Sequence, residues 1–166
     1  ISFDYDTPIG YKQSFNIQDL QDDAEIIGTN KLLGLLSQYE IKTTFGVVGK
    51  ILIDKRYGNN FIDQILNIKE QGHEICSHSF SHKFLPSLSR PELIEEIKYG
   101  KDLIDEYIQT SIIGFILPFN RPMSFLSKGA ISLSELFGIH GRGFGRNTLD
   151  IIVPILIDNG YKWVRT

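Results

Sequence analysis

Three of the four histidines fall within the eleven residues GHEICSHSFSH at 72–82, and two of them, His78 and His82, are four apart. If one helical turn spans them, that spacing brings both imidazoles to the same side, and neutral imidazoles suit zinc and its neighbours. A second signal lies at the start, where ISFDYDTP sets Asp4 and Asp6 two residues apart. Residues so spaced on a strand share a face, so both carboxylates are expected in one place. Close carboxylates repel unless a cation separates them or one takes a proton. Each signal has an ordinary alternative: histidines recur at this spacing by chance, and an acidic turn before Pro8 needs no ligand.

Elements must carry these residues to one point. Runs at 1–4, 42–49, 73–78, 111–118 and 161–166 are β-branched, aromatic or alternating, as strands are. Between them, 19–40, 59–72, 89–109 and 149–160 carry apolar residues at helical spacing. Ser89 and Pro91 mark the start of the third of these, and Pro154 interrupts the last. Five glycines loosen the stretch from Gly129 to Gly145. Alternating strands and helices with short links imply parallel strands and right-handed crossovers. An open doubly wound sheet and a (β/α) barrel both fit, and both gather chemistry at the C-terminal strand ends. Asp6 and His78 fall at two such ends, so Asp6, His78 and His82 are expected to converge. Two histidines and one carboxylate leave coordination positions open, as a catalytic metal requires. Asp4 is then free to take a proton from water, and Ser77, Ser79 and Ser81 to orient the rings.

Composition narrows the partners. The 166 residues make one domain, 1–166, with 42% apolar and 22% charged residues and a net charge of −3. No basic run suggests nucleic acid, and no apolar stretch reaches the ~20 residues of a membrane span. The single cysteine, Cys76, forms no internal disulfide and is expected buried and inert. His73 is expected to be structural. The sequence opens and closes on strand-like residues, so it is expected to be cut from a longer chain at both ends. Its cellular address therefore stays open between cytoplasm and cell surface.

SFDYD, GHEICSHSFSH, KTTFGVVG and GFILPFN resemble, in order and rough spacing, the polysaccharide deacetylases, which remove N-acetyl groups from chitin, peptidoglycan and related glycans. The resemblance covers Ile1 to about Pro118 and implies a distorted (β/α) barrel of about seven parallel strands, incomplete here at its C-terminal end. It also implies Asp4 as general base, Asp6, His78 and His82 as ligands of a divalent metal (zinc foremost), and Ser79 as the hydroxyl that steadies the loop. The third motif of the family, roughly R-x-P-(Y/F), is matched by Pro118 and Phe119 as substrate-binding residues, but Ile116 replaces its arginine. Arg121 is the candidate to reach Asp4 instead. The backbone N–H of Phe119 would help hold the oxyanion. The family's late histidine, which protonates the leaving amine, has no counterpart, since His140 comes too early. The missing groups are therefore expected beyond Thr166, or the chain is a degenerate member. Asp158 and Trp163 reproduce the family's D-x-x-x-x-W spacing, yet GYKWVRT reads as a plain strand with Trp163 in the core.

Tyr5, Phe80 and Phe119, near strand ends, are candidates to stack on sugars, though such aromatics also serve as core. The substrate is then an N-acetylated glycan or a small amide. Three rivals remain: hydrolysis of other non-peptide C–N bonds on the same scaffold, a D-x-D glycosyltransferase that leaves the histidines unexplained, and a non-catalytic glycan-binding module.

Overall fold

The computed structural model describes residues 1–15, 24–120 and 149–166. All five expected strands form: β1 (Ser2–Tyr5), β2 (Thr44–Val47), β3 (Glu74–Ser77), β4 (Gly114–Ile116) and β5 (Trp163–Arg165). The helices are α1 (Thr7–Phe15), α2 (Ala24–Gln38), α3 (Gly58–Glu70), α4 (Arg90–Ile108) and α5 (Leu149–Asp158). Five strands stand among the described residues, against about seven expected.

The strands are all parallel and lie in chain order, β1-β2-β3-β4-β5. A doubly wound sheet reverses its order at a switch point; this one never does. In such an order right-handed crossovers put the connecting helices on one side, and the sheet curls around its other face. The curl is visible in Arg165, whose guanidinium on β5 reaches Ser2 and Asp4 on β1 at the opposite edge. Register sets Asp4 beside Gly46 and Gly46 beside Cys76. Alternate residues (Tyr5, Phe45, Ile75, Phe115) turn outward and join Phe61, Ile65, Leu93, Ile97 and Ile104 in the core under the helices.

Local signals explain most boundaries. α4 starts at a capping box in which the Ser89 N–H donates to Glu92 at 2.8 Å, with Pro91 in the first turn. α3 buries Phe61, Ile65 and Ile68 along one stripe. α1 stands where the sequence suggests an acidic turn leading into Pro8. Pro8 in fact sits in the first turn, where a missing N–H costs nothing, and Glu25 accepts the Thr7 N–H at 3.0 Å.

Three smaller expectations resolve here. Cys76 is fully buried, and burial pushes its thiol pKa far up, so it is inert. His73 is structural, its Nδ1 accepting the Thr43 N–H at 3.2 Å. Trp163 lies in a strand but is only half-buried rather than in the core, and its indole N–H donates to Glu74 at 3.1 Å. Among the described residues, no helix is long and apolar enough to cross a membrane.

Candidate metal centre

The ends of β1 and β3 deliver Asp6, His78 and His82 to one point. His78 Nε2 lies 3.2 Å and His82 Nε2 3.3 Å from Asp6 Oδ1, and the three ligand atoms all fall within 4.8 Å of one another. Ligands at ~2.0–2.1 Å in a tetrahedral shell stand about 3.4 Å apart, close to what is seen.

Chemistry makes the same point. His78 Nδ1 lies 2.9 Å from the Ile116 carbonyl, which can only accept, so Nδ1 carries the hydrogen and Nε2 offers a lone pair. Asp6 Oδ1 also only accepts. Both atoms are buried and, among the described residues, lack a hydrogen-bond partner. Two buried acceptors facing each other without a proton are costly, and a cation removes the cost. Burial alone would raise the Asp6 carboxyl, but positive charge at this point, on the imidazoles or on a cation between them, outweighs it and holds its pKa well below the usual carboxylate range. Asp6 therefore stays ionised and ready to ligate.

The histidine loop is not the helical turn its spacing suggested. Residues 78–84 form no helix, and Ser79 and His82 take left-handed backbone at φ 65° and 59°. That conformation costs about 1–2 kcal/mol per residue, so the surroundings must impose it. Ser79 Oγ accepts the His82 N–H at 3.1 Å. Glu96, 1% exposed, accepts from the Ser81 N–H at 2.8 Å, from the Ser81 hydroxyl at 2.6 Å and from Lys83 at 3.2 Å, while its carbonyl accepts the Phe80 N–H at 2.9 Å. Gly100 lets α4 approach: a Cβ there would stand 2.8 Å from the Phe80 nitrogen. Gly10 does the same for α1, where a Cβ would stand 2.8 Å from Asp6 Cβ. With the chain so pinned, the His78 and His82 rings lie 4.8 Å apart.

Glu96 and Gly100 escaped the sequence reading, although one signal was present. Both sit on the apolar stripe of α4 with Leu93, Ile97 and Ile104, and a carboxylate there requires a buried partner.

The turn 118–120 joins this pocket to Asp4. Phe119, at φ 63°, packs its ring 4.7 Å from His82 and 5.8 Å from Phe84. The next residue, Asn120, donates to Asp4 Oδ2 at 3.3 Å. Asp4 and Asp6 are thus parted: β1 ends at Tyr5, and Asp6 turns to the imidazoles while Asp4 turns to Asn120 and Arg165.

Two substrate-binding expectations fail. Tyr5 is 3% exposed, packs in the core and donates its hydroxyl to Gln64, because alternation turns it opposite to Asp4. Pro118 is buried as well, so it shapes the turn rather than touching a ligand. Arg121 and His140 lie outside the described residues.

Comparison with known proteins bears on the family and the fold. The family model "Polysaccharide deacetylase" matches residues 21–135. Chitin deacetylase 1 of Saccharomyces cerevisiae is 36% identical over 86 residues, 52% of this chain and 26% of that protein. A chitin deacetylase of Pestalotiopsis sp is 29% identical over 120 residues, 71% of this chain and 37% of that protein. The chain thus spans well under half the length of these relatives. The structure of the Streptococcus pyogenes deacetylase PplD, determined with acetate, matches with a TM-score of 0.60 at 18% identity, covering 96% of this chain and 63% of that one. At that identity the likeness speaks for the fold.

Proposed function

The chain belongs to the polysaccharide deacetylase family, and from that premise we propose that it is a metal-dependent hydrolase removing N-acetyl groups from a glycan. We read residues 1–166 as one catalytic domain and the five strands as part of a distorted barrel of about seven. The observation that carries the reading is the pair of buried acceptors, Asp6 Oδ1 and His78 Nε2, opposed at 3.2 Å.

Asp6, His78 and His82 would hold the ion, and their nitrogen and oxygen set suits zinc. A divalent ion there supplies Lewis acidity to the acetamide carbonyl and to the attacking water. Asp4 accepts the proton from that water, held ready by Asn120. The backbone N–H of Phe119 offers the carbonyl oxygen a second donor as charge develops on it. The departing nitrogen must be protonated, because an amide anion leaves too poorly. His73 cannot supply that proton, being tied to Thr43. The proton taken up by Asp4 is the one at hand. Phe119, half-exposed beside His82, is the aromatic surface placed to meet a sugar.

The test is elemental analysis for stoichiometric zinc, followed by a screen of N-acetylglucosamine oligomers against small cyclic amides. Acetate release from the oligomers supports the reading. Turnover of the cyclic amides alone moves the substrate to small C–N bonds, and failure to bind zinc at neutral pH overturns the metal centre.

A further inference from the structure

Ile116 stands where the family pattern places an arginine, yet Asp4 is not without a guanidinium. Arg165 Nη2 pairs with Asp4 Oδ1 and donates to Asn120 Oδ1 at 3.0 Å, while Nη1 donates to Ser2 Oγ. Asn120 Nδ2 in turn donates to Asp4 Oδ2. Each carboxylate oxygen therefore has its own donor, and the guanidinium has two further acceptors that stop it from swinging away. We infer that Arg165 is the positioning residue of Asp4, delivered from β5 in place of a side chain at position 116 on β4. The inference rests on the reading of Asp4 as the base.

Geometry explains why either strand can serve. Ile116 Cδ1 lies over Gly46, where a Cβ would approach it to 2.9 Å, and Gly46 is the β2 partner of Asp4. Ile116 also pairs in register with Arg165. Both side chains thus lie on the concave face beside the same carboxylate. The ordinary alternative is a staple between β1 and β5. Arg165 and Asp4 are 30% and 29% exposed, and an exposed pair of that kind adds little stability. What three fixed contacts supply is orientation, and misplacing a reacting group by about 1 Å can cost roughly 100-fold in rate.

The experiment uses the full zinc-loaded chain and an N-acetylglucosamine oligomer. Arg165→Met should lower kcat about 100-fold while KM and zinc affinity change less than about threefold. Arg165→Lys should recover part of the loss, since lysine brings the charge without the fork. Adding Ile116→Arg to Arg165→Met should restore kcat to within about tenfold of the parent. A staple predicts no rescue from position 116, and kcat that simply follows the melting temperature. An independent readout needs no turnover: the Arg165 Nη protons should give separately resolved NMR signals that merge in Asp4→Asn. If the parent releases no acetate yet those signals behave as stated, the pairing stands and the deacetylase reading fails. Merged signals in the parent, or undiminished kcat in Arg165→Met, overturn the inference.

Discussion

Asp6 faces the accepting Nε2 of His78 and the imidazole of His82, whereas Asp4, two residues earlier, faces a guanidinium and a carboxamide that donate. The functional group is the same and the chain separation minimal, so the surroundings alone divide the roles. Around Asp6 the protein has assembled acceptors and left the positive charge to come from outside. Around Asp4 it has supplied the charge from β5. On the proposed roles, the first arrangement binds an ion and the second orients a base.

Removing a member of each set should break the comparison in different ways. Asp6→Ala should weaken zinc binding by at least about a thousandfold in a chelator-competition titration, because it deletes a ligand and strands His78. Asp4→Asn should instead lower turnover about 10²–10⁴-fold with zinc affinity nearly unchanged. A large loss of zinc in Asp4→Asn would show that the two carboxylates are not divided as described.

Glu96→Ala probes the support of the first set alone. Zinc affinity should fall about 10–100-fold, and urea denaturation should show a loss of about 2–3 kcal/mol, since Ser81 and the loop lose a buried acceptor. The smallest effect concerns pH. Burial pushes Glu25 up to about 7; the Thr7 N–H opposes this and the charge of Asp6 adds to it. A raised acid holds its proton more tightly folded than unfolded, so its contribution is complete below its ordinary 4.5 and is lost as pH rises through about 7. Glu25→Gln should therefore flatten a decline of about 1–3 kcal/mol between pH 4.5 and 7 in the metal-free chain, read by urea titration.

The strands and the ligand trio were legible because they depend on local pattern: β-branched runs, and His78, His82 and Asp6 at strand ends. α1 was not legible because proline suits both a turn and a first helical turn, as at Pro8. The histidine loop was misread because spacing of four suits a helix, whereas Glu96 and Gly100 impose left-handed backbone from α4. Tyr5 could have been assigned correctly, since the alternation that exposes Asp4 turns it inward. Arg165 was beyond local pattern: its partner is 161 positions away, and only curling of the sheet brings them together.

That separation has a consequence for the order of assembly. A chain made from its N-terminus has Asp6, His78, His82 and Glu96 in hand once α4 emerges, so an ion can be captured early. The aspartate proposed to take the proton lacks its guanidinium until Arg165 docks, 161 positions further on. If the proposed roles hold, loading with metal and competence to react are separate events, and a chain nicked before β5 should retain the first while lacking the second.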